Sequence, residues 1–181
     1  MNTIDISIIV PLYNEEQVFS RLIDRLTNVI NTCNFTCEVI LVNDGSSDNT
    51  AQLIDAICKK NKHFTGVLLS RNHGHQLAVT AGMAYVRGKK EARIIDGDLQ
   101  EPPELVKDFY ELLNNGYDVI YAIRKNRKES LLKRIAYKRY YRLQKRISNF
   151  NIPIDSGDFS MLSRRVVDAM NTMPEQSRYL R

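Results

Sequence analysis

Asp96 and Asp98, separated by Gly97, directly follow the apolar pair Ile94-Ile95. Two carboxylates so spaced, on a strand just ending, can both turn toward one small hard cation. Mg²⁺ or Mn²⁺ prefers oxygen ligands and often bridges a protein carboxylate and a substrate phosphate. Gln100 offers an amide oxygen to the same side. An Asp-x-Asp alone is common in surface turns; this one gains weight from the apolar run before it and from its company. Asp44 lies in Val42-Asn43-Asp44-Gly45-Ser46-Ser47-Asp48. That run suits an ordinary turn with a helix cap. It also suits an acceptor-only carboxylate that receives the imide N–H of a uracil-like base, or an equivalent purine donor. Tyr13 and Glu15, after another apolar run, could complete a base and ribose site. Arg71, in Arg71-Asn72-His73-Gly74-His75-Gln76, opens a helix whose first amides can receive a sugar or phosphate. His73 and His75 are two apart and face differently on a helix, which argues against a shared metal. No Gly-x-Gly-x-x-Gly follows the first apolar run and no Walker loop occurs, which removes dinucleotide oxidoreductases and P-loop enzymes.

The elements that must position these residues alternate in type. Short β-branched runs at 4–10, 38–42, 64–69, 92–95 and 118–123 read as strands. Residues 15–32, 48–60, 74–86 and 103–115 carry helical spacing, with Ser47 or Asp48 able to cap the second helix. Pro102-Pro103 opens the fourth, where a first turn tolerates proline. Such alternation predicts an α/β fold, a mainly parallel sheet with helices on both faces. Ligands of such sheets bind beyond the carboxyl ends of the strands. The polar clusters named above fall at those ends, with Arg124 after the fifth strand.

At 181 residues, 43% of them apolar and 26% charged, the chain suits a single domain with a substantial core. Cys33, Cys37 and Cys58 form neither an even framework nor a metal-ligand spacing, and read as reduced thiols of a cytoplasmic protein. The start has no leader pattern, and no stretch approaches the length of a membrane span, so the chain as given is expected to be soluble. Its net charge of +5 is uneven. Residues 124–146 hold eleven Lys/Arg and one acid, Glu129, so the remainder of the chain sums to −5. Within 131–147, Leu132, Ala136, Tyr140, Leu143 and Ile147 form one apolar stripe, with Lys133, Arg134, Lys138, Arg142, Lys145 and Arg146 largely off it. A basic amphipathic helix reads as a membrane-surface element, or else as a helix packed on the domain with a solvated basic face. The acidic remainder argues against nucleic acid as a partner.

Taken together, these segments resemble the family-2 glycosyltransferases of the GT-A fold. The likeness is nearest to the bacterial branch similar to dolichol-phosphate mannose synthase, which includes polyprenyl-phosphate glycosyltransferases. It rests on Val10-Pro11-Leu12-Tyr13-Asn14-Glu15-Glu16, Val42-Asn43-Asp44-Gly45-Ser46-Ser47-Asp48-Asn49-Thr50 and Leu69-Ser70-Arg71-Asn72-His73-Gly74-His75-Gln76. Asp96-Gly97-Asp98-Leu99-Gln100-Glu101-Pro102-Pro103-Glu104 and Asp155-Ser156-Gly157-Asp158-Phe159-Ser160-Met161-Leu162-Ser163-Arg164-Arg165 complete it. The resemblance implies that Pro11, Tyr13, Glu15 and Asp44 hold the nucleotide base and ribose. It implies that Asp96, Asp98 and Gln100 face a Mg²⁺ or Mn²⁺ ion and the diphosphate. Arg124 would neutralise phosphate, and Asp158 would lie beside sugar and acceptor. Asn43, His73 and Ser160 depart from residues common in relatives, which carry an acid, an aromatic and an arginine there. The resemblance also implies that relatives continue beyond Arg181 into further catalytic sequence and then membrane helices, so 1–181 reads as one catalytic domain cut short, with 125–149 as its basic helix.

The activity so implied is inverting transfer of a sugar from a nucleotide-sugar, UDP favoured over GDP, to a polyprenyl phosphate at the inner face of a membrane. An acceptor phosphate with a second pKa of about 6 arrives largely dianionic and requires no strong base. For a hydroxyl acceptor, Asp158 would be the base. The alternatives are a saccharide hydroxyl acceptor and a non-catalytic nucleotide-sugar-binding fragment. A phosphatase with an aspartate nucleophile would want its Asp pair after the first strand, not the fourth. The sequence leaves sugar, base and homo-oligomeric state open.

Overall fold

The computed structural model describes residues 4–97, 99, 102–123 and 156–175. Aliphatic residues on both sides of the backbone bury the central strands completely. β1 (Ile6–Leu12) and β2 (Cys37–Asn43) have no exposed residue. β3 (Phe64–Leu68), β4 (Glu91–Ile94), β5 (Val119–Ile123) and β6 (Ser156–Ser163) complete a six-stranded sheet of order β3-β2-β1-β4-β6-β5. β1 pairs in parallel with β2 and β4, and β2 with β3. β6 runs antiparallel between β4 and β5.

Alternation along the strands sorts the core into two layers. Ile6, Ile8, Val10 and Leu12 join one cluster with Val39 and Leu41. Against it pack α1 (Glu16–Thr32) through Phe19, Leu22 and Leu26, α2 (Thr50–Lys60) through Ile54, and α4 (Val106–Asn114) through Phe109 and Leu113. Each such fully buried side chain contributes about 1.5–3 kcal/mol. Ile9, Ile40 and Val42 face the other way. They meet Ala78, Val79 and Met83 of α3 (His75–Met83) and Val167 of α5 (Arg164–Thr172). The arrangement is the α/β sheet with helices on both faces that the alternation predicts.

The elements differ from the sequence reading in places with clear causes. β1 runs on through Pro11 to Leu12. The Ile9 carbonyl accepts the Ile95 N–H on the β4 side, and the Leu12 carbonyl accepts the Asp44 N–H on the β2 side. Alternation therefore puts Pro11 on the β4 side, beyond the last pair Ile9↔Ile94, where a missing N–H breaks no ladder bond. α2 starts at Thr50 rather than at Asp48, because Asp48 and Asn49 bond to α1 instead. Asp48 Oδ1 still accepts the Thr50 N–H at 3.0 Å. α3 ends at Met83, and the N–H groups of Ala84, Tyr85 and Val86 turn to carbonyls three residues back. The Pro103–Leu105 segment is a 3₁₀ turn ahead of α4. β6 and α5 are not among the elements that the sequence pattern predicts.

β4 carries two buried charges. The Arg93 guanidinium lies 4.3 Å from the Phe109 ring centroid, a cation–π contact. Glu91 is 3% exposed, and burial pushes its carboxyl up to about 7, against weaker downward pulls from Lys90 and Arg93. Cys33, Cys37 and Cys58 are free thiols, and burial pushes Cys37 up to about 12, where it is unreactive at neutral pH. No helix of the described residues is long and apolar enough to cross a membrane.

Candidate active site

β2 and β3 build outward on one side of β1 and the next strand, β4, lies on the other. That reversal is the switch point where α/β sheets open a crevice at their carboxyl ends. A cleft of about 350 Å³ lies there, lined by Pro11, Leu12, Tyr13 and Glu15 after β1 and by Asp44 after β2. Asn72, Gly74, His75 and Ala78 line it from α3 and the loop before it, and Asp96 and Gly97 from the end of β4. Four of the five clusters singled out in the sequence thus meet in one place. Tyr13 is 48% exposed, a ring presented to the cleft's solvent side rather than packed away.

Two loops are stitched together to form the rim. Asn14 adopts φ 57, a left-handed conformation asparagine tolerates, and its Oδ1 accepts the Ser47 N–H at 2.8 Å. The Ser46 hydroxyl accepts the Asn14 N–H at 3.0 Å, Thr50 Oγ1 the Glu15 N–H at 3.0 Å, and Asp48 Oδ2 the Glu16 N–H at 3.1 Å. The first amides of α1, otherwise unpartnered at a helix start, are satisfied across the loops. Burial raises the Asp48 carboxyl, yet its hydrogen bonds with Thr50 and Glu16 outweigh that and hold it below the usual carboxylate range.

Asp44 is 3% exposed and both its oxygens are engaged. Oδ1 accepts the His73 N–H at 2.7 Å and Oδ2 the Gly74 N–H at 2.9 Å. Neighbouring Gly45 has φ 65, and a Cβ there would stand 2.2 Å from the Arg71 carbonyl carbon. Glycine thus lets the loop before α3 lie directly on the end of β2 while Asp44 clamps it. The clamp is a function of Asp44 that its sequence context did not reveal; a second lone pair on each oxygen remains for a ligand. Asn43 is buried and caps the same turn, its Oδ1 accepting the Ser46 N–H at 3.2 Å.

The structure places other expected residues differently. Arg71 contributes backbone to the Gly45 contact but is exposed and not among the cleft-lining residues; Asn72, Gly74 and His75 occupy that wall. His73 is likewise exposed, whereas His75 turns inward, its Nε2 lying 3.7 Å from Asp96 Oδ1. Asp98, Gln100 and Arg124 lie outside the described residues, as does the whole basic stretch 125–149. Asp158 sits on β6, whose antiparallel register pairs Ser160 with Ile94, so the strand's earlier residues run toward the rim.

Among the described residues no group of three His, Cys, Asp or Glu could by itself hold a metal. The donor set nonetheless fits Mg²⁺ or Mn²⁺, which commonly takes one or two carboxylates and completes its shell with substrate phosphate and water. Asp96 supplies such a carboxylate inside the cleft. Gly97 keeps it there: a Cβ at Gly97 would lie 2.4 Å from Leu12 Cδ2 and 3.1 Å from the Pro11 carbonyl. Between Asp98 and Gln100, Leu99 holds φ 60 with its side chain against the core. A left-handed leucine costs about 1–2 kcal/mol, and strain of this kind concentrates at functional sites.

The sequence model of glycosyl transferase family 2 matches residues 7–170. The chain belongs to that family. An uncharacterised glycosyltransferase of Synechocystis sp. is 40% identical over 99% of the chain, and the chain spans 56% of that relative. Among solved structures, a mannosyltransferase of Pyrobaculum calidifontis, in complex with GDP-Man and Mn²⁺, is similar at a TM-score of 0.65 and 16% identity. The similarity covers 96% of this chain and 48% of that one. Glucosyl-3-phosphoglycerate synthase of Mycobacterium tuberculosis, in complex with Mn²⁺, UDP and phosphoglyceric acid, gives 0.62 at 22% identity over 90% of this chain and 56% of that one. These likenesses show a glycosyl transferase family 2 domain with the GT-A fold, spanning about half the length of the curated relative it matches.

Proposed function

We propose that this domain forms the donor site of an inverting, metal-dependent glycosyltransferase that moves a sugar from a nucleotide-sugar, UDP-linked in preference to GDP-linked, to a polyprenyl phosphate. The observation that carries the proposal is the convergence of Pro11, Tyr13, Glu15, Asp44 and Asp96 on one cleft at the switch point. Its volume of about 350 Å³ falls within the range of small-ligand sites. Tyr13 offers a face for a base. Asp44 offers acceptor lone pairs to the base's N–H. Asp96 lines the same cleft and is assigned to the diphosphate end. Mg²⁺ or Mn²⁺ held by Asp96, Asp98 and Gln100 would supply positive charge where the leaving diphosphate becomes more negative. Arg124 is assigned to phosphate.

An acceptor phosphate attacks the anomeric carbon from the face opposite the diphosphate, so configuration inverts. Its dianion needs no proton removed. Asp158, reaching the rim on β6, then orients sugar and acceptor; with a hydroxyl acceptor the same carboxylate takes the proton. The basic stretch 124–146 supports placement at the inner, anionic face of a membrane, at about 1 kcal/mol per basic residue near the surface. The span of only 56% of a relative also supports a second reading, a domain that binds donor and needs further chain for transfer.

A melting-temperature panel of UDP-, GDP- and dTDP-sugars with and without Mn²⁺ tests this. The expected outcome is stabilisation by a UDP-sugar that depends on Mn²⁺. Indifference to every nucleotide in both conditions overturns the proposal, and a response to GDP-sugars alone overturns the choice of base.

A further inference from the structure

We infer that His75 is a positioning residue of this cleft: its imidazole orients the Asp96 carboxylate for a divalent cation bound with a donor diphosphate. The inference rests on the donor-site reading above and adds to it a residue that reading leaves without a role.

The fold fixes His75 from three directions. Asp44 grips the two preceding backbone N–H groups, those of His73 and Gly74, at 2.7 and 2.9 Å. Gly74 itself has φ 90 and ψ 154, a conformation essentially reserved for glycine, although no atom lies within 4 Å of where its Cβ would be. Glycine is therefore needed there for the turn of the chain and not for room. From behind, α3 is drawn close to the sheet, since a Cβ on Gly82 would stand 2.5 Å from Ile9 Cγ2 and 3.0 Å from Val42 Cγ2. The first residue of a helix so fixed is His75, and its Nε2 comes 3.7 Å from Asp96 Oδ1 across the cleft. Side-chain exposures of 37% and 24% leave the pair open to a ligand without leaving it loose in solvent.

Direct ligation by the imidazole is the weaker use of this geometry, because Mg²⁺ and Mn²⁺ favour oxygen. A ligating carboxylate, however, is ordinarily held by an outer hydrogen bond, and loss of that partner costs 10–100-fold in metal affinity or activity. His75 is placed to be that partner. A small closure brings 3.7 Å to hydrogen-bond length, and Nε2–H then donates to Oδ1 and leaves Oδ2 for the cation.

The test is calorimetry of UDP binding to the wild type, His75→Ala and His75→Gln, each in EDTA and in saturating Mn²⁺, with melting temperatures as a control on folding. Expected are a wild-type affinity gain from Mn²⁺, loss of about 10–100-fold of that gain in His75→Ala over and above any change it shows in EDTA, and recovery in His75→Gln, whose amide N–H reaches the same oxygen. If His75→Ala keeps the full gain, or loses binding equally in EDTA, or if glutamine does not restore it, the positioning role is overturned while the donor site stands. A wild type that binds UDP no better with Mn²⁺ overturns the metal-assisted donor site and this inference together.

Discussion

Replacing Asp44 by asparagine separates the clamp that the structure shows from the base contact proposed for the same side chain. The carboxylate is 3% exposed and accepts the His73 and Gly74 N–H groups, one on each oxygen. Asparagine keeps the shape and one acceptor but sets an NH₂ against the other N–H. One hydrogen bond to a charged acceptor is lost, about 1.5–3 kcal/mol, and two donors are left facing each other in a buried place, so the total is about 2–4 kcal/mol. For a chain of this size each kcal/mol moves the midpoint by about 2–4 °C, and the melting temperature is expected to fall by about 4–16 °C. Differential scanning calorimetry without ligand reads the clamp alone; titration with UDP on the surviving folded protein reads the base contact. A melting temperature unchanged within a degree would show that the loop before α3 does not depend on Asp44, and the account of how the cleft wall is held would fail.

Three further outcomes follow from the structure and a fourth from the charge pattern of the sequence. Gly45→Ala forces a Cβ against the Arg71 backbone at φ 65, and urea denaturation should show a loss of about 2–5 kcal/mol. Asp96→Asn is expected to abolish the Mn²⁺-dependent part of UDP affinity measured by calorimetry, leaving metal-free binding intact. Glu91, raised to about 7 in the fold, holds its proton there while the unfolded chain releases it near the ordinary carboxylate value. Stability should therefore fall as pH rises from about 4.5 to about 7, by up to ~3 kcal/mol, and stay low above that. Chemical denaturation across that window should show the slope in the wild type and its disappearance in Glu91→Gln. Changing Lys133, Arg134, Lys138 and Arg142 together to glutamine should weaken binding to phosphatidylglycerol vesicles by about a thousandfold in sedimentation, at about 1 kcal/mol per charge.

Much of the architecture could be read from the chain because burial leaves a local signature. β1 and β2 are largely apolar on both faces, so Ile8 to Val10 and Val39 to Val42 appear as unbroken aliphatic runs. β6 gives no such signal, since Ser156-Gly157-Asp158-Phe159-Ser160 mixes small and polar residues, and it is a strand only because β4 and β5 offer edges on either side. α5 carries a local start signal: Ser163 accepts the Val166 N–H as an N-cap, ahead of Val166, Val167 and Met170. In the site, residue types and strand ends pointed to Tyr13, Glu15, Asp44 and Asp96. Pairings across the sheet did not show, because the Asp44 clamp and the approach of His75 to Asp96 join residues far apart in sequence. Arg71 stood out by its charge, yet it is the neighbours Asn72, Gly74 and His75 that reach the cleft wall.

The antiparallel insertion of β6 has a consequence for how the molecule is made. β5 is synthesised before β6 but among the described residues pairs only with β6, whereas β1 to β4 can dock on one another as they emerge. Vectorial synthesis thus yields first a four-stranded part of the sheet carrying the cleft wall of Tyr13 and Asp44, its β4 border open. Assembly of the opposite border waits for the latest strand to thread into place, a contact of long sequence range and correspondingly slow formation. A ribosome-stalled chain ending before residue 156 should therefore already protect β1 and β2 amides from exchange while leaving those of β5 unprotected.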